Sequence, residues 1–392
     1  MVLFTKLLII VAAAAVVAFP PRRAADHADV VPGKYIVTLK GDADVESHIA
    51  WVKSLHPRNS CSPHTKAVEK VWTESFKGYS GEFDEATLKQ ITSREDVVGI
   101  EPHNCPWGLI SLSHREPDGR RYDYWGSAGE GTWVYVLDTG IYTENLDFEG
   151  RAHLGYNAIP SIPFEDTNGH GTHCAGTIIG KRFGVAKNAQ AIAVKVLDGD
   201  SGDTATVIDG LEWAVSNITK TPGRAANAVV SMSLGGPYSL ALNTAVKNAY
   251  HAGVLSVVAA GNSGLPAELF SPASESTAIT VAAIDVSRRK AGFANFGASV
   301  DVFAAGVDVE SAYIGAPDAF AALSGTSMAT SYIAGLALYL KRLEYGTESP
   351  GGVTARIQEL ATRDVVQESG PLTPNLLAYN NFPAQGPCPG CG

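Results

Sequence analysis

The chain has 392 residues, of which 45% are hydrophobic, and its formal net charge is −10. This length allows more than one domain and a sizeable hydrophobic core. The acidic balance, without any run rich in Lys or Arg, argues against a nucleic-acid-binding protein. The five cysteines are odd in number, so at least one stays unpaired or pairs between chains.

The N-terminal segment has the pattern of a secretory signal peptide. Lys6 precedes an unbroken apolar run over residues 7–19 that contains small residues near its end. The pattern predicts a signal peptide over residues 1–18, cleaved after Ala18. The run is short for a membrane span, and an uncleaved anchor is the alternative. We therefore expect a protein without a membrane anchor after signal removal, secreted to the extracellular space or vacuolar.

Residues 34–102 predict a small α+β domain. Stretches with strand and helix spacing follow one another there in the order βαββαβ, which is typical of ferredoxin-like units. The predicted elements are a strand (35–40), a helix (45–55), a hairpin (68–83), a second helix (84–92) and a final strand (97–100).

After about Pro106 the pattern changes to strands that alternate with helices. Apolar runs of strand length are separated by helical patterns, as in a parallel sheet covered on both faces. The predicted strands are 133–138, 191–197, 228–234 and 254–260, and the predicted helices are 204–219 and 240–252. In such open α/β folds, ligand sites lie at the carboxyl ends of the strands.

Three segments carry residues that are able to do chemistry. Asp138 ends the first of these strands, at the ligand-binding edge. His170 and His173 lie in a glycine-rich segment, and their spacing without a third ligand is not a zinc signature. Ser327 opens a long apolar helix, where a serine is either a helix cap or a nucleophile. Each segment alone has a structural explanation, since strand-end aspartates also cap turns.

The three segments together predict nucleophilic catalysis. A serine hydroxyl is a weak nucleophile and needs a base to take its proton. The base in turn needs a carboxylate that sets its tautomer and stabilises its cationic form. Asp138, His170 and Ser327 are the residue types that supply these three groups.

The motifs around these residues are similar to those of the subtilisin-like serine peptidases, nearest the fungal proteinase K subgroup. They are VLDTGI, NGHGTHCAGT and SGTSMA, with further matches at MSLGG (232–236), VVAAGN (257–262) and SPASES (271–276). The resemblance covers residues 34–381 and implies an α/β fold, a subtilisin-like open parallel sheet with helices on both faces. It also implies an inhibitory propeptide that acts as a folding template. The implied segments are the propeptide (19–103), its folded part (34–102), the peptidase domain (104–381) and a Cys/Gly/Pro tail (382–392).

The resemblance implies a role for each motif residue. Ser327 attacks the scissile carbonyl, His170 is the general base and then the general acid, and Asp138 orients His170. Asn262 is the side-chain donor of the oxyanion hole, beside the Ser327 N–H. The implied activity is that of a secreted serine endopeptidase that hydrolyses protein and peptide substrates through an acyl-enzyme on Ser327. We expect it to be a monomer, inhibited by its own propeptide before maturation.

Further residues match the family's substrate-binding part. The resemblance implies a strand edge that pairs with extended substrate, and a neighbouring pocket for the side chain before the cut. The edge residues are Ser233, Leu234 and Gly235, and the pocket residues are Ala259, Ala260 and Gly261. Because the pocket residues are small and uncharged, we expect a preference for apolar or aromatic side chains, with broad tolerance.

Calcium is the one cofactor implied. Asp301 matches a carboxylate ligand, with the carbonyls of Ser276 and Ala278 beside it, and one carboxylate with backbone oxygens suits calcium. The alternative is that Asp301 is a loop or cap residue. Asn217 begins an N-glycosylation sequon. Cys174 matches a free cysteine beside the catalytic histidine, where a buried cysteine is usually a small hydrophobe.

The chain departs from the family pattern behind the nucleophile and at the propeptide junction. Ser331 and Tyr332 replace a proline and a histidine, so the helix packing there must differ. Only four residues, Pro102 to Cys105, separate Glu101 from Pro106, and four residues span at most about 14 Å. We hypothesise that this is too short for self-cleavage at Ser327. The alternative function is a catalytically silent or slowly maturing relative that acts as a binding protein.

Overall fold

The computed structural model describes residues 30–382, apart from residues 56–67, 69, 75, 84, 105, 118 and 120. The predicted signal peptide, all of the predicted tail after Phe382 and four of the five cysteines lie outside the described residues; these cysteines are Cys61, Cys105, Cys388 and Cys391. The described residues form two compact units, 30–104 and 106–382. None of their helices is both long and apolar enough to span a bilayer.

The N-terminal unit is a four-stranded antiparallel sheet with two helices. Its elements are β1 (Val30–Leu39), α1 (Val45–Ser54), β2 (Lys70–Trp72), β3 (Gly78–Glu82), α2 (Glu85–Thr92) and β4 (Val97–Asn104). The strand order is β2-β3-β1-β4, and every pair is antiparallel. The βαββαβ order predicted from the sequence is confirmed.

The core of this unit follows from the apolar spacing of its helix α1. Val45, Ile49 and Val52 lie on one face of α1 and are buried. They belong to one apolar cluster with Val37 of β1 and Tyr79 of β3. Burial of these side chains is what holds the small sheet and its helices together.

The C-terminal unit contains the remaining thirteen strands and six helices of the described residues. The strands are β5 (Trp133–Asp138), β6 (Ala152–Asn157), β7 (Gln190–Lys195), β8 (Ala228–Met232), β9 (Gly236–Pro237), β10 (Leu255–Ala259), β11 (Phe270–Ser271), β12 (Ile279–Ile284), β13 (Val302–Ala305), β14 (Val309–Ala312), β15 (Phe320–Leu323), β16 (Thr362–Arg363) and β17 (Leu376–Leu377). The helices are α3 (Trp107–Ser113), α4 (His170–Ile179), α5 (Thr204–Lys220), α6 (Leu240–His251), α7 (Thr326–Leu343) and α8 (Pro350–Leu360).

Nine of these strands form one sheet in the order β16-β17-β13-β12-β10-β8-β5-β7-β6. All neighbours are parallel except β16 and β17. The strands in the middle of the sheet are buried on both faces, which explains their continuous apolar runs. The chain order reverses at β5, which lies between β7 and β8. In open α/β sheets such a reversal marks the ligand-binding edge.

The helices cover the two faces of this sheet. Helices α5 and α6 pack against each other and bury an apolar cluster with Tyr135, Leu137 and Val230. Helices α4 and α7 pack against each other and against the central strands. Every residue of α7 from Thr326 to Lys341 is buried, so α7 runs through the protein interior. The predicted open parallel sheet with helices on both faces is confirmed.

Candidate active site

Asp138 and His170 lie side by side at the carboxyl edge of the nine-stranded sheet. Asp138 is the last residue of β5, and His170 is the first residue of α4. Gly171 allows α4 to begin this close, because a Cβ there would collide with the Gly140 carbonyl oxygen. His170 Nδ1 and Asp138 Oδ1 are 2.7 Å apart, and both side chains are buried.

The contact with Asp138 sets the protonation chemistry of His170. With Nδ1 donating its proton to the carboxylate, Nε2 is the ring atom that accepts a proton. Burial by itself would lower the pKa of His170. The negative charge of Asp138 and its hydrogen bond outweigh burial, so the pKa of His170 lies above its usual value. The pair has the chemistry of a general base oriented by a carboxylate.

Ser327 lies in the first turn of α7 and is 1% exposed. Its hydroxyl donates to the carbonyl oxygen of Ser233 (3.1 Å). Within the described residues His170 Nε2 has no hydrogen-bond partner, so the hydroxyl is not bonded to the base in this arrangement. Catalytic hydrogen bonds are often unformed before substrate binds. The arrangement is therefore compatible with a nucleophile that changes its hydrogen-bond partner when the reaction begins.

Asn262 follows β10, and the residue before Ser327 orients its amide. Asn262 Oδ1 accepts hydrogen bonds from Thr326 N (2.9 Å) and Thr326 Oγ1 (2.7 Å). A Cβ added at Gly325 would lie 3.2 Å from Asn262 Nδ2 and 3.7 Å from the Ser327 nitrogen. Asn262 Nδ2 and the Ser327 nitrogen thus both lie within 4 Å of one point next to Gly325. Two N–H donors near one point are what an oxyanion hole requires, so the predicted role of Asn262 stays a proposal.

The predicted substrate-binding residues follow two neighbouring strands. Residues 233–235 come directly after β8, and residues 259–261 end and follow β10. Because β8 and β10 are parallel neighbours, both segments lie at the edge that carries Asp138. The buried Asn295 holds the second segment, since its Nδ2 donates to the Ala260 carbonyl (2.8 Å). Sequence analysis does not identify Asn295, because it lies in a distant loop outside any motif.

Asp166 is a second residue that sequence analysis does not identify. It lies four positions before His170, and its side chain is buried. Its Oδ1 accepts from Thr139 Oγ1 (2.8 Å), and its Oδ2 accepts from Thr172 N (3.0 Å). The one available signal is its place at the start of the glycine-rich histidine segment. That signal does not separate it from the neighbouring acidic residue Glu165.

The remaining polar residues of α4 face the protein interior. His173 Nε2 lies 2.9 Å from the Val309 carbonyl, and burial lowers the pKa of His173 to about 3, so the ring is neutral. Cys174 is a free, fully buried cysteine, and burial raises the pKa of its thiol far above the usual value. Among the described residues, the only group with metal-ligand spacing is Asp138, His170 and Cys174. The first two of these already form the pair described above.

The residues predicted to bind calcium lie near one open cavity of about 260 Å³. Ser276, Ala278 and Gln358 line it. Asp301 is linked to it through Gln358, whose Nε2 donates to Asp301 Oδ1 (3.0 Å). Burial raises the pKa of Asp301 to about 6, and no ion pair to Asp301 occurs among the described residues. Asp301 Oδ2 accepts the Thr280 N–H (2.8 Å), so both carboxylate oxygens are hydrogen-bonded and neither has a cationic partner among the described residues. A buried carboxylate of this kind suits a calcium ion, which would have to displace or share the Gln358 contact.

Asn217 of the sequon lies within α5 rather than in a loop. Its Oδ1 accepts a hydrogen bond from the buried Tyr135 hydroxyl (2.5 Å), to which Arg224 also donates. A glycan would be attached to Nδ2, which leaves Oδ1 able to accept from Tyr135. Glycosylation at this site stays a prediction.

Ser331 and Tyr332, the two departures from the family motif, are both buried in α7. Ser331 Oγ donates to the carbonyl oxygen of Ser327 (2.9 Å), one helical turn earlier. The Tyr332 ring packs against Gly108 of α3, where a Cβ would collide with the ring. Helices α3 and α7 are thus in close contact behind the nucleophile, and the expected difference from the family's packing there stays a prediction.

Two parts of the chain match known families. Residues 129–373 match the subtilase family, and residues 34–104 match the peptidase inhibitor I9 family. The first match includes the end of β5, the start of α4 and the start of α7. The second covers nearly all of the N-terminal unit, which is therefore an inhibitor-type propeptide.

Curated relatives match over almost the whole length. The subtilisin-like proteinase Mp1 of Magnaporthiopsis poae is 48% identical over 91% of this chain and 93% of its own. Alkaline protease 1 of Aspergillus clavatus is 43% identical over 96% of this chain and 98% of its own. The crystal structure of a cold-adapted subtilisin-like serine proteinase matches 71% of this chain and 99% of its own, with 37% identity and a TM-score of 0.65. With this fold, this site and these relatives, the chain belongs to the subtilase family and is a serine endopeptidase with an N-terminal propeptide.

Proposed function

We propose that Asp138, His170 and Ser327 are the catalytic triad of this endopeptidase. The observation that carries the proposal is the 2.7 Å contact between His170 Nδ1 and the buried Asp138 carboxylate. Ser327 Oγ attacks the scissile carbonyl carbon while His170 Nε2 takes its proton. His170 then gives this proton to the leaving amine, and an acyl-enzyme on Ser327 remains. Water, activated by His170, hydrolyses the acyl-enzyme.

The negative charge that develops on the carbonyl oxygen is stabilised by two donors. These are Asn262 Nδ2 and the backbone N–H of Ser327, whose nitrogens both lie within 4 Å of the point that a Cβ of Gly325 would occupy. Thr326 holds the amide of Asn262 before the reaction starts, so little reorganisation is needed.

Substrate binds as an extended strand along residues 233–235, with the side chain before the cut in the pocket of residues 259–261. Ala259, Ala260 and Gly261 are uncharged and small, so we expect apolar and aromatic side chains to fit beside them. Profiling cleavage sites on a peptide library is the test of this function. We expect internal cuts after aromatic and large aliphatic residues. A profile dominated by cuts after Lys, Arg, Asp or Glu would contradict the proposal.

We further propose that the protein is secreted, extracellular or vacuolar, and acts as a monomer on protein and peptide substrates. The predicted signal peptide supports secretion. The propeptide of residues 19–103 inhibits the peptidase domain of residues 104–381 until it is removed. The tail from residue 382 is left without an assigned role.

Maturation is expected to be slow or to need another protease. β4 extends to Asn104, which leaves only Cys105 and Pro106 before α3 begins. We expect Edman or mass-spectrometric sequencing of the secreted protein to find little product cut in this junction when no second protease is present. The prediction would be wrong if wild type produced a mature N-terminus between His103 and Trp107 and Ser327→Ala did not.

Calcium is proposed as a structural ion near Asp301, with the carbonyls of Ser276 and Ala278 as further ligands. Bound there, the ion would compensate a buried negative charge. In the absence of the ion, the raised pKa of Asp301 means that its carboxyl group holds a proton more tightly in the folded state than in the unfolded chain. The unfolding free energy should therefore fall as pH rises from about 4 to about 6, and stay low above that.

We expect millimolar Ca²⁺ at pH 8 to raise the Tm by roughly 5 °C over the value in EGTA. Asp301→Asn should lose this response, because the carboxylate is gone. Asp285→Asn is the matched control, since Asp285 is a turn aspartate that bonds Ser287 N (2.9 Å) and does not line the cavity. Thermal unfolding followed by circular dichroism, with a serine-protease inhibitor present, measures the response. Equal responses in wild type and Asp301→Asn would rule out this site.

A further inference from the structure

The buried carboxylate of Asp166 is the most heavily hydrogen-bonded acidic group near the triad. The side chain is only 7% exposed, yet no cation is paired with it among the described residues. Five donors compensate its charge instead. They are Thr139 Oγ1 (2.8 Å), Asn168 N (3.1 Å) and Gly169 N (2.8 Å) to Oδ1, and Thr172 N (3.0 Å) and Thr172 Oγ1 (2.5 Å) to Oδ2.

These donors come from both sides of the Asp138–His170 contact. Thr139 follows Asp138, and its own N–H donates to Asp138 Oδ1 (2.8 Å). The other donors belong to the residues just before His170 and to the first turn of α4. Asp166 therefore connects the end of the strand that carries the carboxylate to the start of the helix that carries the base.

The Thr139 hydroxyl connects the end of β5 to the start of α4. It donates to Asp166 and accepts from the Gly171 N–H (3.0 Å), the residue after His170. On its other side, the buried Lys195 donates to the Thr139 carbonyl (2.6 Å). The residue next to Asp138 is thus held at its N–H, its hydroxyl and its carbonyl.

We propose that Asp166 is a positioning residue of the endopeptidase, which keeps His170 in register with Asp138 while the proton moves from and to Ser327. The inference rests on the triad proposed above. An ordinary cap would bond only the helix N-terminus. Asp166 bonds the strand end as well, and it places a negative charge at the positive end of α4.

The charge of Asp166 also acts on the base. The charged and titratable groups that act on His170 are Asp138, Asp166 and Asp200, with the neutral His173 and Cys174 on its own helix. Each of the three carboxylates favours the protonated imidazole. Removing the charge of Asp166 should lower the pKa of His170. Since only the neutral ring acts as a base, the acid limb of the activity profile should then move to lower pH.

The test compares Asp166→Asn with wild type. Both proteins are produced as the full chain and then matured by the same added protease. We expect kcat per titrated active site to fall about 10- to 100-fold, KM to stay within about threefold, and the acid limb of kcat/KM to shift to lower pH. Asp203→Asn is the matched control. Asp203 caps α5 through the Thr206 N–H (2.8 Å) and does not touch the triad. Its kcat and pH profile should stay those of wild type.

A second pair of variants keeps the proposal testable if Asp166→Asn does not fold. Thr139→Val keeps the shape of the side chain but removes the hydroxyl between Asp166 and Gly171, so kcat should fall at unchanged KM. Thr139→Ser should restore it. The proposal would be overturned if either Asp166→Asn or Thr139→Val kept the kcat of wild type and the acid limb of its kcat/KM profile. This holds whatever the change in Tm. If Ser327→Ala were fully active, the triad itself would be wrong, which is a separate outcome.

Discussion

Replacing Ser327 by alanine is expected to lower kcat by at least about 10⁴-fold and to change KM only a few-fold. In the proposed mechanism the Ser327 oxygen forms the acyl-enzyme, whereas the segments after β8 and β10 contact the substrate. The remaining rate reflects binding and oxyanion stabilisation without a nucleophile on the protein. A fluorophosphonate probe should label wild type at Ser327 and leave the variant unlabelled.

The comparison needs proteins with the same N-terminus, because loss of Ser327 also removes any self-processing. Both proteins are therefore matured by an added protease, which is then removed, before peptide hydrolysis is measured. Ser324→Ala is the matched control. Ser324 Oγ accepts the Asp308 N–H (2.9 Å) in the loop before α7 and has no hydrogen bond to Asp138, His170 or Ser327 among the described residues. If mature, folded wild type failed to react with the probe, the silent binding protein would become the better interpretation.

Replacing Asn262 by leucine is expected to lower kcat by about 10²- to 10³-fold, again with little effect on KM. The Nδ2 donor should bond the substrate oxygen strongly only when that oxygen carries the negative charge of the tetrahedral intermediate. Its loss therefore raises the barrier more than it weakens ground-state binding.

A second substitution separates the oxyanion role from a structural one. Asn262→Asp keeps an oxygen that accepts from Thr326 but replaces the Nδ2 donor by another acceptor. If Asn262 acts in the oxyanion hole, the aspartate variant should lose at least as much activity as the leucine variant. Steady-state kinetics on a chromogenic peptide measures both. A near-normal kcat in Asn262→Asp would show that holding Thr326 is the main role of this residue.

The sequence was sufficient for the elements that depend on local patterns. Strand β5 begins and ends where its apolar run does, and α5 extends only one residue beyond its predicted stripe. The N-terminal unit has the predicted order because hydrophobic periodicity and turn residues act over short distances. The motifs around Asp138, His170 and Ser327 could also be recognised from the sequence, because each is a continuous segment.

What the sequence could not supply are contacts between distant segments. Nothing in the local pattern shows that Asp166 bonds both Thr139 and the first turn of α4, or that Gln358 lies between Asp301 and the cavity. The same holds for the Ser327 hydroxyl, whose partner is the Ser233 carbonyl.

The sequence by itself therefore determined the family, the order of the elements and the three residues of the proposed triad. Only the tertiary structure decided how they are held together. The reason is physical: hydrophobic periodicity is a property of a short stretch of chain. The hydrogen bonds that satisfy a buried carboxylate such as Asp166 exist only after separate strands and helices have packed against one another.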